Sequence, residues 1–257
     1  AGIARDLALR GVRVALVERG DVASGTSGRN HGLLHSGGRY AVRDPGAAAE
    51  CVGENAILRR IAAHCIDPCG GLFVGLEGDD PGYARRFEEA CKAAGIETQR
   101  IGPREALERE PALSELVRDA FVVPDASVDP FSLCLANVVD AAEHGALILT
   151  HVEVTGFGIL GRRVTSLVLR DTLGGGDREI ACRVVVNAAG PWAGVVASHA
   201  GLSVDLVLSR GARVVTRGRL VRGVVNRLRP PSAGDIVVPG GPVCLVGTTS
   251  VTVASPD

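Results

Sequence analysis

A strand that ends in an acid and runs into a glycine-rich loop constrains this chain more than any other feature. Residues 12–17 are nearly all apolar, which is typical of a parallel strand covered on both faces. The run stops at Glu18, and the loop that follows is rich in Gly, Ser, Thr, Arg and Asn. An acid at the end of the second strand of a βαβ unit can accept hydrogen bonds from ribose hydroxyls. The segment from Gly11 to Tyr40 therefore predicts a dinucleotide site on a parallel sheet.

The residues before this strand are predicted to form the helix of the same unit. Residues 1–10 carry apolar side chains at helical spacing, and Gly11 is a suitable C-terminal cap. The glycine fingerprint of such a unit normally lies about 20 residues before the acid, which places it before Ala1. Because the 257 residues also contain no Met, we expect the chain to begin inside the motif. The tail stops within a Val-rich strand pattern, and we expect truncation there too.

Charge and cysteine content narrow the classes of partner. Charged residues make up 22% of the chain and the net charge is −1, so we expect neither nucleic acid nor an acidic membrane surface as the main partner. The seven cysteines lack the C-x-x-C spacing of a zinc site, and no metal site is expected at His64, Cys65 and Cys69. Free thiols indicate a reducing cytoplasm.

The charge-free residues 184–204 include Pro, Asn and glycines, which favour strand, turn and helix over a membrane span.

Helices and strands are predicted to alternate beyond Tyr40. The predicted helices are 46–65, which Asp44 and Pro45 begin, 81–94, which Gly95 ends, and 131–144, which Gly145 ends. The predicted strands are 70–76, 120–123 and 146–150, with a loop through Pro103 and Pro111. Short strands are predicted within 151–187, with a hairpin turn at 174–176, and further sheet within 206–253. The turn-rich residues 124–130 are the predicted crossing between domains.

A second motif, VVVNAAGPWAG, covers residues 184–194. A predicted buried strand runs into Ala188, Ala189 and Gly190, which are small enough to let the backbone approach a ligand, and Pro191 can open a helix. Alone, the motif fits equally an ordinary strand-to-helix turn with Trp192 in the core. Its combination with Glu18 and the first loop favours contact with a cofactor.

Several longer motifs resemble one flavoenzyme family. They are ALRGVRVALVERGDVASGTSGRNHGLLHSGGRYAVRDP, GENAILRRIAAHC, VPDASVDPFSLCLANVVDAAEHGALILT, VVVNAAGPW, RPPSAGDIVVPG and LVGTTS. Together they resemble the FAD-dependent glycerol-3-phosphate dehydrogenases, most of all the flavin-bearing subunit of the anaerobic type, within the D-amino-acid-oxidase-like flavoproteins. The resemblance implies an α/β fold in which a Rossmann-like FAD-binding domain is interleaved with an antiparallel α+β substrate domain. We assign residues 1–66 and 127–202 to the FAD-binding domain, without its first strand and Gly-rich loop, and residues 67–126 and 203–257 to an incomplete substrate domain.

The resemblance also implies a set of FAD-binding residues. Glu18, with Arg19 beside it, matches the acid that binds ribose; a solvated charge at a strand end is the alternative. Hydroxyls and successive backbone N–H groups in the loop suit the anionic oxygens of the pyrophosphate. Val154 matches a residue whose backbone meets adenine, although a core valine fits as well. The other implied residues are Thr26, Ser27, Gly28, Arg29 and Asn30 in the loop, His31, Gly32 and Leu33 beside the flavin ring, and Ala188, Gly190 and Trp192 in the second motif.

Three further residues bear on the reaction. Oxidation of a secondary alcohol needs a base for the hydroxyl proton, and His35 matches the family's active-site histidine. Arg39 is predicted to clamp the substrate phosphate with paired N–H donors, and Tyr40 to assist by hydrogen bonding. A structural histidine and a surface cation are the alternatives. Where some relatives carry a His, this chain has Ala212 and Arg213, and the role of Arg213 stays open between phosphate binding and structure.

The function implied by the resemblance is FAD-dependent oxidation of sn-glycerol 3-phosphate to dihydroxyacetone phosphate, with electrons passed to a quinone through partner subunits. Two alternatives remain: a dehydrogenase of a 2-hydroxy acid such as L-2-hydroxyglutarate, and a flavin-binding protein without turnover. The implied location is the cytoplasm, with attachment to the inner face of the cell membrane only through partners. We expect the chain alone to retain FAD weakly, because the pyrophosphate-binding turn is expected to precede Ala1.

Overall fold

The chain forms both helices and strands. The computed structural model describes residues 1–256, and Asp257, the last residue of the predicted substrate domain, lies outside the described residues. The helices are α1 (Gly2–Leu9), α2 (Pro45–Ile61), α3 (Pro81–Ala93), α4 (Pro103–Arg109), α5 (Pro130–Glu143) and α6 (Ala193–Ser198). The strands are β1 (Ala15–Val17), β2 (Leu33–Leu34), β3 (Ile66–Asp67), β4 (Gly71–Leu76), β5 (Gln99–Ile101), β6 (Val117–Val123), β7 (Ala126–Val128), β8 (Leu147–Leu149), β9 (Val152–Leu160), β10 (Arg163–Asp171), β11 (Asp177–Ala181), β12 (Leu208–Arg210), β13 (Arg213–Val215), β14 (Val224–Arg227), β15 (Ile236–Gly240), β16 (Val243–Gly247) and β17 (Val251–Val253).

The chain divides into two compact units whose segments are interleaved. The first unit comprises Ala1–Asn30, Pro130–Ser209 and Thr252–Asp257, and the second comprises His31–Asp129 and Arg210–Val251. The predicted α/β class, with both parallel and antiparallel strand pairs, is confirmed. One chain crossing, at residues 129–130, falls inside the predicted joint.

The division differs from the predicted domain bounds at residues 31–66. The sequence assigned them to the FAD-binding domain, yet they belong to the second unit, and smaller differences fall at residues 127–129, 203–209 and 252–256. Two contacts explain the difference. β2 and β3 both pair with β7, and Ala48 of α2 packs into the core formed around Phe73 and Phe87. A sequence pattern reports which face of an element is apolar, and tertiary pairing decides which core receives that face.

A parallel strand pair in the first unit carries the loop that follows Glu18. β1 pairs with β8 in parallel, with Ala15 opposite Leu147, which confirms the predicted parallel strand. An ion pair between Arg5 and Asp140 joins α1 to α5. β9, β10 and β11 form an antiparallel sheet, and the β10–β11 connection contains the predicted glycine turn.

Two predicted strands of the first unit were wrong in extent or burial. Residues 12–17 were predicted to be covered on both faces, but β1 begins only at Ala15, and Val12 and Ala15 are exposed. Residues 184–187 were predicted as a buried strand, yet they pair with no strand within residues 1–256, and Val184 is 78% exposed. An apolar run predicts a preference for burial, whereas a strand also needs a hydrogen-bonding neighbour.

A seven-stranded sheet forms the centre of the second unit, in the order β13-β16-β15-β14-β4-β6-β5. Its strand pairs are antiparallel, except that β4 and β14 run parallel. Phe87 of α3 lies against Phe73 of β4 and Phe121 of β6, with ring centroids 4.7 and 5.3 Å apart. These fully or nearly fully buried rings fix α3 on the sheet.

Prolines begin helices in the second unit, as the sequence predicted for α2. Asp44 Oδ1 accepts the N–H of Ala47 at 3.0 Å, and Pro45 occupies the first turn. The predicted loop through Pro103 was wrong, because residues from Pro103 onward form α4. A proline at the first helical position removes no intrahelical hydrogen bond, so it is compatible with a helix as well as with a loop.

Candidate cofactor and active site

Glu18 lies at the carboxyl end of β1, beside the start of β9. Its N–H donates to Leu149 O and its carbonyl accepts the N–H of Val152, both at 2.9 Å. Its carboxylate Oε1 accepts the N–H of Gly20 at 2.7 Å, so the side chain also shapes the turn into the loop. The acid is thus held at the sheet edge where open α/β folds bind ligands.

The loop after Glu18 is tightly packed at one glycine. Residues Thr26–Gly28 form a single 3₁₀ turn. A Cβ on Gly28 would lie 2.2 Å from Ala23 O and 2.6 Å from a ring carbon of Phe131, so only glycine fits there. The exposed residues of this loop include Thr26, Ser27, Arg29 and Asn30. The packing at Gly28 therefore presents two hydroxyls, an amide and a guanidinium on the surface of the first unit.

Arg19 and Trp192, which lie far apart in the sequence, are in contact. Arg19 Cζ lies 5.1 Å from the centre of the Trp192 ring, within cation–π range. Arg19 Nη1 also lies 3.9 Å from a carboxylate oxygen of Glu153, which precedes Val154 in β9. A Cβ on Gly25 would lie 3.7 Å from the Trp192 ring. The first unit therefore brings the strand end, the loop and the second motif together around Trp192.

The other predicted residues of the first unit lie on its surface or in β9. Ala188 and Gly190 are exposed, and Gly190 has a φ of +55° at the start of the turn that contains Trp192. Asn187 Nδ2 donates to Ala193 O at 2.9 Å and closes this turn. Val154 is half-buried and pairs with Leu169 of β10.

Three ring-bearing residues gather where the chain enters the second unit. The ring centroids of His31 and His35 lie 6.3 Å apart, edge to face, and those of His35 and Tyr40 lie 5.3 Å apart. Between the histidines, the Gly32 carbonyl accepts the N–H of Val128 at 2.7 Å, and β2, which begins at Leu33, pairs with β7. The predicted flavin-side residues His31, Gly32 and Leu33 therefore belong to the second unit.

Two glycines after His35 hold this loop against the core. A Cβ on Gly37, whose φ is +100°, would lie 2.5 Å from Ala48 O, and a Cβ on Gly38 would lie 2.9 Å from the Phe73 ring. Both positions need glycine because backbone and aromatic atoms fill the space. The sequence HSGGRY thus bends His35 and Tyr40 toward each other.

Burial controls the protonation of this cluster. It lowers the pKa of His35 from 6.5 to about 4, and His31 and Arg39 add to the shift through their charges. Burial, with Arg213 and Arg39, also lowers the pKa of His31. The pKa of Tyr40 is raised, mainly by burial. At neutral pH the cluster therefore contains neutral imidazoles, which can accept protons, and a protonated phenol, which can donate one.

Two arginines of the second unit, Arg39 and Arg213, lie close enough to His31 for their charges to lower its pKa. Arg39 Nη2 donates to Ser232 O at 3.2 Å. Arg213 Nη1 and His31 Nδ1 are buried and have no hydrogen-bond partner among residues 1–256. Gly247 lies opposite Arg213 in the β13–β16 pair, and a Cβ there would lie 3.0 Å from Arg213 Cγ. A buried N–H donor is costly when it is unpaired, so Arg213 is available to a ligand.

Sequence reasoning missed two buried polar residues next to His35. Asn55 is 6% exposed and Asp125 is 2% exposed. Asn55 was read as part of an ordinary helix and Asp125 as part of a turn-rich joint. A polar residue inside an otherwise packed region is a useful signal, but it appears only once the packing is known.

The part of the chain that the structure describes offers no cluster of three or more His, Cys, Asp or Glu side chains suited to a metal ion. Within the same residues, every helix is too short or too polar to cross a membrane. All seven cysteines are free thiols.

The whole chain, residues 1–257, matches the DAO family of FAD dependent oxidoreductases, and it belongs to this family. The predicted flavoprotein class and its FAD cofactor are thereby confirmed. One subunit of the anaerobic glycerol-3-phosphate dehydrogenase of Escherichia coli K12 is 49% identical over 253 residues, which cover 98% of this chain and 47% of that protein. The chain thus spans about half the length of the curated relatives it matches.

Solved structures share this fold. Glycine oxidase from Geobacillus kaustophilus has a TM-score of 0.78 and 25% identity, covering 98% of this chain and 68% of that chain. The glycerol-3-phosphate dehydrogenase of Bacillus halodurans, solved in complex with FAD, has a TM-score of 0.72 and 23% identity, covering 99% of this chain and 46% of that chain. Because one fold serves enzymes with different names and substrates, the substrate must be argued from side chains.

Proposed function

We propose that this chain is the part of an FAD-dependent glycerol-3-phosphate dehydrogenase that oxidises sn-glycerol 3-phosphate to dihydroxyacetone phosphate. The observation that carries the proposal is a neutral, largely buried base, His35, in one cluster with Tyr40, Arg39 and Arg213. Its chemistry suits an alcohol that also bears a phosphate. The 49% identity to the Escherichia coli dehydrogenase supports the same substrate.

His35 is proposed to accept the proton of the substrate's secondary hydroxyl at a ring nitrogen. Its lowered pKa keeps the imidazole in the base form at neutral pH. Tyr40 stays protonated because burial raises its pKa, so its O–H can donate to the same substrate oxygen. A positioned base of this kind contributes about 10²–10⁴-fold to the rate.

Arg39 and Arg213 are proposed to bind the phosphate. Two guanidinium groups offer several N–H donors in fixed planes, which match phosphate oxygens. The buried, unpartnered Nη1 of Arg213 supports this role, because a phosphate oxygen would satisfy it.

The first unit is proposed to hold the nucleotide portion of FAD, and its donor set fits that group. Glu18 would accept hydrogen bonds from the ribose hydroxyls. Arg29, together with the hydroxyls and N–H groups of residues 26–28, would donate hydrogen bonds to the pyrophosphate oxygens. Arg19, Val154, Ala188, Gly190 and Trp192 complete this set, and His31, Gly32 and Leu33 are proposed to meet the flavin ring. The bound flavin supplies the acceptor for the hydride that leaves the substrate carbon.

We further propose that partner subunits carry the electrons to a quinone. The Escherichia coli relative is named as one lettered subunit of its enzyme, which supports assembly with other subunits. We propose that the protein acts in the cytoplasm and is attached to the inner face of the cell membrane only through those partners.

The test is anaerobic bleaching of the flavin absorbance in the protein expressed from its complete gene. We expect bleaching by sn-glycerol 3-phosphate and not by L-2-hydroxyglutarate. His35→Ala should slow bleaching by about 10²–10⁴-fold, whereas His144→Gln, at the exposed residue that directly follows α5, should not. Bleaching by the hydroxy acid alone, or by neither compound, would overturn the proposal.

A further inference from the structure

The peptide group between His35 and Ser36 is held from both sides by buried side chains. Its carbonyl, on His35, accepts a hydrogen bond from Asn55 Nδ2 at 3.0 Å. Its N–H, on Ser36, donates to Asp125 Oδ1 at 2.7 Å. Asn55 lies in α2, and Asp125 lies between β6 and β7. A peptide group bonded at both polar ends cannot turn over without losing both bonds in a buried environment.

Arg59 links the two residues that hold this peptide, Asn55 and Asp125. Arg59 Nε donates to Asn55 Oδ1 at 2.6 Å, and Arg59 Nη2 donates to Asp125 O at 3.3 Å. Asn226 Nδ2, from β14, donates to Asp125 Oδ2 at 3.1 Å. Burial raises the pKa of the Asp125 carboxyl. The network therefore links a helix, a turn and a central strand to one backbone position.

We propose that Asn55 and Asp125 are positioning residues that set the orientation of the His35 side chain. This inference rests on the proposed role of His35 as the base. Both residues bond the peptide that carries the imidazole, and the filled space at Gly37 and Gly38 prevents the following backbone from shifting to compensate. A base displaced by a fraction of an ångström loses rate more than it loses substrate affinity.

Substitutions at Asn55 and Asp125 can separate this positioning role from a role in packing alone. Asn55→Asp keeps an acceptor for Arg59 but removes the donor to the His35 carbonyl. Asp125→Ala removes the acceptor for the Ser36 N–H. Asp125→Asn keeps that acceptor, and its new amide can donate to Asn226 Oδ1 once the Asn226 amide has turned over, because Asn226 Nδ2 now faces that position; Asn226 Oδ1 is buried and has no other partner within residues 1–256. A matched control is Asn137→Asp on α5, because Asn137 Nδ2 also donates to a backbone carbonyl, Leu133 O at 2.8 Å.

We expect Asn55→Asp and Asp125→Ala to lower kcat by about 10–100-fold in the FAD-loaded, full-length protein, with little change in KM for glycerol 3-phosphate. Asp125→Asn should recover most of the kcat lost in Asp125→Ala, and the Asn137→Asp control should match the parent. The double variant Asn55→Asp/Asp125→Ala should have a kcat only a little lower than that of either single variant, because both substitutions free the same peptide group. A purely structural role would lower the melting temperature without this split between kcat and KM.

An NMR titration of the His35 ring gives a readout that does not depend on turnover. Asn55→Leu removes the donor to the His35 carbonyl without adding a charge, so in this variant the ring should gain solvent and its pKa should rise from about 4 toward 6.5. A raised His35 pKa in the variant, together with a parent protein that does not oxidise glycerol 3-phosphate, would support the positioning role and reject the proposed substrate. An unchanged His35 pKa in Asn55→Leu together with an unchanged kcat in Asn55→Asp would overturn the inference, and these Asn55 variants decide the test even if Asp125→Ala does not fold.

Discussion

The rings of His35 and Tyr40 lie 5.3 Å apart, centre to centre, and are inclined at 53° to each other. The intervening Gly37, with a φ of +100°, makes the bend that brings them together. One ring is neutral and able to accept a proton, and the other is protonated and able to donate one. This pairing suits a reaction in which a single hydroxyl oxygen is both deprotonated and held.

Tyr40→Phe tests the phenol separately from the base. The substitution keeps the ring beside His35 and removes only the O–H. We expect kcat with glycerol 3-phosphate to fall about tenfold, the effect of one hydrogen bond of about 1–1.5 kcal/mol. Tyr83→Phe, at the chain's other tyrosine, on the buried face of α3, should have little effect on kcat. Equal losses in both variants would count against a role for the Tyr40 hydroxyl.

The lowered pKa of His35 predicts the acid limb of the pH profile. The base form persists above its pKa, so kcat/KM should stay nearly constant as the pH falls from 7 to about 5 and decline as it passes through about 4. A histidine with its ordinary pKa of 6.5 would instead give a decline that begins near neutrality.

The same shift has a consequence for stability. Between about 4 and 6.5 the unfolded state binds the proton that folded His35 excludes, so the free energy of unfolding should fall as the pH falls through this window. His35→Gln should remove that contribution. A variant and parent with identical pH dependence of unfolding would contradict the lowered pKa.

Arg213→Gln tests the proposed phosphate contact. Glutamine keeps part of the stem that packs against Gly247 but loses the charge and the guanidinium fork. We expect KM for glycerol 3-phosphate to rise about 10–100-fold, in line with about 1.5–3 kcal/mol for a hydrogen bond to a charged group, with kcat affected less. The inhibition constant of inorganic phosphate should rise by a similar factor. Weaker catalysis with unchanged phosphate inhibition would assign Arg213 a structural role.

Local rules predicted the parts of the fold that local chemistry decides. Asp44 and Pro45 begin α2 as expected, because a side-chain cap and a fixed φ act within one turn. Gly95 and Gly145 follow α3 and α5 with φ of +73° and +88°, the left-handed conformation that ends helices. The cluster of His35, Arg39 and Tyr40 was also visible, because all three residues lie within one short loop.

Long-range partners were not predictable in this way. The contact of Arg19 with Trp192 joins segments that no local pattern connects. Asn55 and Asp125 acquire a role only because α2 and the β6–β7 turn approach the same peptide group. Residues 184–187 have the composition of a buried strand but remain largely exposed, since composition does not supply a hydrogen-bonding neighbour.

Gly28→Ala tests whether the loop after Glu18 owes its conformation to one glycine. The added methyl group would lie 2.2 Å from Ala23 O and 2.6 Å from the Phe131 ring, so backbone and ring must both shift. We expect the free energy of unfolding to drop by about 1–3 kcal/mol, as for other overpacked sites, and the affinity for FAD to drop with it. Gly53→Ala is the matched control, because nothing lies within 4 Å of its Cβ position in α2. Alanine is the better helix former by about 0.5–1 kcal/mol, so that variant should be slightly more stable. Urea unfolding and FAD titration of both variants measure these effects. A Gly28→Ala protein as stable as the parent would mean that the loop accommodates a side chain. Lost FAD affinity with intact stability would place the defect at the cofactor rather than in the packing.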